Sequence, residues 1–322
     1  MLSNKIAKKI GLEKYFKKRK GYSLNLIESL ASSKKLCVDV GLSEVAPNAA
    51  TWLLNDPDRC VIGVEPLDYN WERLEGKHDS GKDDIGDGWP AIRIGEESQN
   101  VVITKNPSLD IRGKFFGIKC AIDNVAIPEE KEFYHMEEAG NSSLLKPNDN
   151  HTGDIKKVEK VQCVSLSDIL DHVDWRQFGN YIEHLKVDAE GHDLEVLKSA
   201  GQYLENTIFV SFEMSSNNED KWDDQYSWED AIHYMTNKGF AMLQFDGGNI
   251  VWLNRRFDAF LKHNNWHRKM GHYVQDPLGR TPLKLNTSLP FIVDPIRGLS
   301  YWYDMLCEDG TLGIDFIEEE NK

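Results

Sequence analysis

The stretch Cys37-Val38-Asp39-Val40-Gly41-Leu42-Ser43, taken with Val61-Ile62-Gly63-Val64-Glu65-Pro66 farther on, limits the folds open to this chain more than any other feature. The first is an apolar run closed by an acid and a glycine. A helix-compatible segment, Pro47-Asn48-Ala49-Ala50-Thr51-Trp52-Leu53-Leu54, follows it, and the second apolar run ends at Glu65. Continuous Val/Ile/Cys runs are the mark of parallel strands buried on both faces. The order is therefore strand, tight turn, helix, strand, with a carboxylate at the tip of the second strand. Gly41 has backbone angles closed to other residues, so a ligand can approach the main chain there. Glu65 stands where a dinucleotide-type fold holds both ribose hydroxyls, which suits a free 2′-hydroxyl and disfavours a 2′-phosphate.

After Gly41 come Leu42, Ser43, Glu44, Val45 and Ala46, so there is no full G-x-G-x-x-G, and no G-x-x-x-x-G-K-[ST] occurs. A turn without that glycine-rich cradle is poorly suited to a pyrophosphate. A phosphate-free nucleoside fits better, and S-adenosylmethionine is the commonest. The same residues fit equally well a plain αβ repeat in which Asp39 and Glu65 cap neighbouring helices.

The rest of the chain extends this rhythm. Residues 116–122 read as a third core strand ending at Asp123 and Asn124, and 132–136 and 158–164 read as further strands. Leu185 and Val187 complete a strand tipped by Asp188, a helix starts near Asp193, and 207–213 form a fifth core strand tipped by Glu213. Residues 240–245 and 249–253 make a hairpin turned by Asp246-Gly247-Gly248. The expected fold is α/β: an open, mostly parallel sheet with a closing antiparallel hairpin and helices on both faces. Ligands on such sheets bind beyond the carboxyl ends of the strands. Asp39 with Gly41, Glu65, Asp123 with Asn124, Asp188 and Glu213 are all expected at that rim.

Three segments follow from composition: a basic helical arm (1–34), the αβ domain (35–256, with an insert about 76–115) and an aromatic-rich extension (257–322) packed on it. The net charge of −15 argues against broad electrostatic binding to nucleic acid, although seven lysines and Arg19 stand against Glu13 alone in the first twenty residues. Cys37, Cys60, Cys120, Cys163 and Cys307 form no C-x-x-C and read as thiols of a reducing, cytoplasmic compartment. No run is long enough for a membrane span, and the charged N-terminus lacks the apolar core of a signal peptide. The sequons at Asn141, Asn150 and Asn286 are read as chance matches.

Five blocks carry a family resemblance: Val38-Asp39-Val40-Gly41, Val64-Glu65-Pro66, Cys120-Ala121-Ile122-Asp123-Asn124, Asn141-Ser142-Ser143-Leu144, and above all Leu185-Lys186-Val187-Asp188-Ala189-Glu190-Gly191-His192-Asp193-Leu194-Glu195-Val196-Leu197-Lys198. Over about residues 35–255 the chain resembles FkbM-type S-adenosylmethionine-dependent methyltransferases. The resemblance implies a class I methyltransferase (Rossmann-like) fold, S-adenosylmethionine as donor and a hydroxyl acceptor on a saccharide or related small metabolite. It sets Asp39, Gly41 and Ser43 along the methionine side of the cofactor, Glu65 on the ribose with Pro66 and Leu67 beside it, and Asp123 and Asn124 near the adenine. Asp188, Glu190 and His192 would face the sulfonium and the acceptor. The family's G-A-N-x-G departs here to Gly41-Leu42-Ser43-Glu44-Val45-Ala46, and Asn48 is the substitute offered for the lost contact.

Methyl transfer depends on positioning, and a weakly nucleophilic hydroxyl is helped by a base or a metal. His192 is the first candidate base, with Asp188 orienting it or taking the proton. Glu190 and His192 equally suit capping of the helix start. Asp188, Glu190 and Glu213 have the ligand chemistry for Mg2+, which their spacing does not demand. Two other readings compete: a binding module of this fold without turnover, favoured by the altered Gly41 loop, and a nucleic-acid methyltransferase using the basic arm. The second lacks the Asp/Asn-Pro-Pro-aromatic motif at the fourth strand.

Overall fold

The computed structural model describes residues 35–56, 59–77, 91–94, 101–103, 109, 111–137, 140–175, 178, 181–213, 221–245 and 249–255. The basic arm (1–34), much of the 76–115 insert, the 257–322 extension and Cys307 lie outside them. The two opening runs form β1 (Lys35–Val40) and β2 (Arg59–Val64), joined by α1 (Pro47–Asn55). Almost every residue of both strands is buried, as their unbroken apolar runs require. Then come α2 (Asp68–Leu74), β5 (Phe115–Ile118), β9 (Ile182–Val187), α4 (Asp193–Ser199), β10 (Thr207–Glu213) and α6 (Trp228–Asn237), with β11 (Phe240–Phe245) and β12 (Asn249–Asn254) closing the order. Between them lie β3 (Ile92–Ile94), β4 (Val101–Ile103), β6 (Ala121–Ile122), β7 (Glu129–Met136), β8 (Ile155–Val164), α3 (Leu166–Leu170) and α5 (Gln202–Glu205).

Seven strands form one sheet in the order β11-β12-β10-β9-β1-β2-β5. The pairs β5/β2, β2/β1, β1/β9 and β9/β10 are parallel, while β12 runs antiparallel to both β10 and β11. Among the described residues this is the expected parallel sheet with a closing hairpin. The 76–115 region supplies the separate antiparallel pair β3/β4, whose Ile92 and Ile94 join the main core.

One expectation needs correcting. Residues 116–122 are not one strand. β5 stops at Ile118, the chain breaks direction at Lys119 and Cys120, and β6 pairs with β8 in a second sheet of order β6-β8-β7. Among the described residues β5 is the edge of the large sheet, so the chain beyond it has no described neighbour on that side and takes another partner. Asp123 therefore follows a strand of the small sheet, not a rim strand. The small sheet has its own core of Ala121, Phe133, Val161 and Cys163, closed against Leu67.

Two local devices set the rim of the large sheet. The first is ionic. Lys186 sits opposite Asp39 in the β1/β9 register, and its Nζ lies 3.4 Å from Asp39 Oδ1, 3.2 Å from Asp188 Oδ2 and 2.7 Å from the Gly41 carbonyl. A Cβ on Gly41, at φ +82°, would collide with the Asp188 carbonyl oxygen, so the glycine serves this close approach of two strand ends. The second is the turn itself. Ser43 (φ 58°) and Ala46 (φ 50°) are left-handed without being glycine, and they carry the turn where the family's second glycine is missing.

Two outcomes are expected. Lys186→Met leaves Asp39 buried without its cation and should lower stability by about 3–5 kcal/mol, read from the urea midpoint. Ser43→Gly relieves a left-handed strain and keeps the amide, and should raise stability by about 1 kcal/mol in the same assay.

Candidate functional site

A cavity of about 270 Å³ opens between the carboxyl rim of the large sheet and the inner face of the small one. Of the residues that the sequence set against cofactor or acceptor, Gly41, Ser43, Glu65, Pro66, Leu67, Asp188, Glu190 and His192 line it. Asp39, Asn48, Asp123 and Asn124 do not.

Three of those four make other contacts. Asp39 is fully buried, and its Oδ2 accepts from the Ala49 amide in the first turn of α1, where a helix start favours a carboxylate. Burial pushes its pKa up despite the pull of Lys186. Asn48 is buried in α1 with its Oδ1 unpartnered. Asp123 faces His192, with Oδ1 2.8 Å from the imidazole Nε2, and also pairs with Lys131. Although burial works to raise it, hydrogen bonds from His192 and Lys131 hold the Asp123 carboxyl well below the usual range. The exposed Asn124 donates to Glu195 Oε2 at 3.1 Å. Cys120, Ala121 and Ile122 are the residues of that block on the cavity wall.

Glu65 is the most constrained group on the wall. Its Oε1 accepts from the Leu67 amide at 2.9 Å and its Oε2 from the Ser43 amide at 3.2 Å. Trp71, packed over Gly117, donates from Nε1 to the Glu65 carbonyl at 2.7 Å and fixes the backbone. Burial raises the Glu65 carboxyl to about 7, with the Leu67, Asn70 and Ser43 hydrogen bonds pulling the other way. An anchored acid with two hydrogen-bonded oxygens at the wall of an open cavity can accept a pair of hydroxyl donors once it is ionised.

The Asp188–Asp193 turn stands across the cavity. Glu190 is left-handed (φ 50°) and Gly191 follows at φ 85°, where a Cβ would strike Trp222. Asp193, fully buried, holds this turn by accepting from the Ala189 amide at 3.0 Å and the Gly191 amide at 3.2 Å. Loss of solvent, with the Asp188 charge adding to it, lifts the Asp193 carboxyl to about 6. His192 occupies the N-cap of α4 but makes no side-chain cap, and the Glu190 side chain does not cap it either. Asp188, Glu190 and Glu213 each bring one carboxylate oxygen within 4.8 Å of the others. Desolvation and mutual repulsion raise Glu190 well above its ordinary value and Glu213 to about 7. Protons satisfy such a cluster without an ion, and no metal is assigned to it.

Sequence reasoning missed the roof. Phe133, His135 and Lys156 come from β7 and β8, and the Lys156 ammonium lies 4.6 Å from the Tyr69 ring centroid, joining the small sheet to α2. They could not be found without knowing that 121–122 changes sheets. Lys186 and Asp193 had a signal: a charge inside an apolar strand and an acid beside a glycine turn.

No helix among the described residues is long and apolar enough to cross a membrane. Among known proteins, no curated protein and no solved structure matches the chain. The family model of the methyltransferase FkbM domain matches residues 54–242, more than half of the chain. That span takes in Glu65, the 141–144 block and the whole Asp188–Asp193 turn, while β1 and the Gly41 loop precede it. With both strand-tip acids of the cavity inside the matched span, this chain belongs to the FkbM methyltransferase family.

Proposed function

We propose that this protein transfers the methyl group of S-adenosylmethionine to a hydroxyl of a saccharide or a related polyhydroxylated metabolite. The observation that carries the donor is Glu65, an anchored and buried carboxylate at the second strand tip, facing a cavity with no glycine-rich cradle for phosphates. When bound, S-adenosylmethionine supplies a methyl group activated on a sulfonium. Glu65 accepts from the two ribose hydroxyls, and Pro66 and Leu67 lie beside the nucleoside. Gly41 and Ser43 border the methionine end. Asp188, held by Lys186 at the first and fourth strand ends, puts negative charge beside the positive donor.

His192 takes the proton of the acceptor hydroxyl as its oxygen is methylated. It lies on the cavity wall, and Asp123 orients its ring through Nε2, a base steered by a carboxylate. Asp123, not Asp188, fills the orienting role. The inactive-module reading rested on the altered Gly41 loop. Ser43 and Ala46 now account for that loop's left-handed turns, and no other observation favours it.

Calorimetric titration with S-adenosylhomocysteine tests the donor. The wild type should bind, and Glu65→Ala should weaken binding by roughly 100-fold or more, since two charge-assisted hydrogen bonds of about 1.5–3 kcal/mol each are lost. Equal binding by the two proteins would remove Glu65 from the cofactor. The pH dependence has a defined sign. The free carboxyl holds its proton below about 7, whereas ribose hydroxyls prefer the ionised form. Affinity should therefore be flat above that pH and fall by about tenfold per unit below it, and Glu65→Gln should abolish the slope.

A further inference from the structure

We propose that Asn141 binds a pair of acceptor hydroxyls, presented by a loop that Ser143 fastens to the Glu190 turn. This rests on the saccharide acceptor proposed above. Gly140, Asn141, Ser142 and Leu144 line the same cavity as Asp188, Ala189 and Glu190. The loop is tied on both sides of that wall. Ser143 is 1% exposed; its Oγ lies 2.8 Å from the Glu190 carbonyl and 3.3 Å from the Ala189 carbonyl, and it accepts from the Leu145 amide at 3.1 Å. Its backbone exchanges hydrogen bonds with Tyr134 in both directions. Ser142 Oγ accepts from the Met136 amide at 3.2 Å. The neighbours of Asn141 are thus spent on structure, while its own amide makes no hydrogen bond to any described residue although the residue is half-buried.

A held amide with both a donor and an acceptor free matches adjacent hydroxyls, which offer both in return. Asp188 and Glu190 line the same cavity as Asn141, and Lys156 stands on its roof. A neutral polyol uses both the donor and the acceptor of the Asn141 amide. A site built to hydrogen-bond a hydroxyl discriminates strongly against an analogue that lacks it.

The test uses the full chain, S-adenosylmethionine and a panel of methyl glycosides: glucoside, mannoside, galactoside and rhamnoside, with S-adenosylhomocysteine release as the readout. For the sugar that the wild type accepts best, Asn141→Ala should raise KM by about tenfold or more, with kcat and S-adenosylhomocysteine affinity little changed. On two of the monodeoxy versions of that sugar, each lacking one hydroxyl of the pair, the substitution should cost less than it does on the parent sugar. An unchanged KM, or a penalty from the substitution that is the same on every monodeoxy sugar as on the parent, overturns the assignment alone. A loss of S-adenosylhomocysteine affinity places Asn141 on the cofactor and also overturns it. A wild type that binds S-adenosylhomocysteine but methylates no member of the panel removes the saccharide acceptor, and this inference with it.

Discussion

A single ammonium group holds the rim together. Lys186 Nζ bridges Asp39, Asp188 and the Gly41 carbonyl, joining the ends of β1 and β9 in a layer where almost everything else is apolar. A buried cation is tolerable only when its charge and its donors are all answered, and here two carboxylates and a carbonyl answer them. The acids lie on two different strands, so the tie works only while the β1/β9 register sets Asp39 beside Lys186. Asp39 is thereby withdrawn from the cavity and Asp188 is left half-buried at its wall. The paired acid at the first strand is structural, and the unpaired face of the fourth-strand acid is available for chemistry.

The cavity exists because the chain leaves one sheet for another. Had β5 continued through residue 122, the edge of the large sheet would have extended and nothing would roof Glu65. The change of partner at Lys119 and Cys120 sends β6 to β8, and β7 follows, so that Phe133 and His135 come to face the rim. Leu67, two residues after Glu65, packs in the core of the small sheet while also lining the cavity. The two sheets thus meet at the wall that carries Glu65.

What the sequence made legible follows the range of the forces involved. Strand tips with acids, the helix after Asp193 and the closing hairpin are local signals of period and turn chemistry, and the described structure contains them. The left-handed Ser43 and Ala46 were not legible, because only a tertiary fit holds non-glycine residues there. Asp123 was assigned to a rim strand because both halves of 116–122 are apolar, and periodicity cannot see a change of partner. Its bond to His192 joins positions 69 residues apart. Asn141-Ser142-Ser143 matched a sequon and a family block at once; its contact with the Ala189 and Glu190 carbonyls depends on the same small sheet.

The separate core of the small sheet divides the molecule into parts with unequal freedom to vary. Ala121, Phe133, Val161 and Cys163 pack together with Leu67 and Leu144, while Ile122 and Val164 of the same strands join the main core. Exchanges confined to the cavity side of β7 and β8 leave the buried charges under Lys186 untouched. A lineage of such proteins can therefore drift in what the small-sheet side of the cavity admits while the ionic tie at the rim stays constant. Divergence among its members should concentrate on the cavity side of β7 and β8 and spare the strand ends and the tied 141–144 loop.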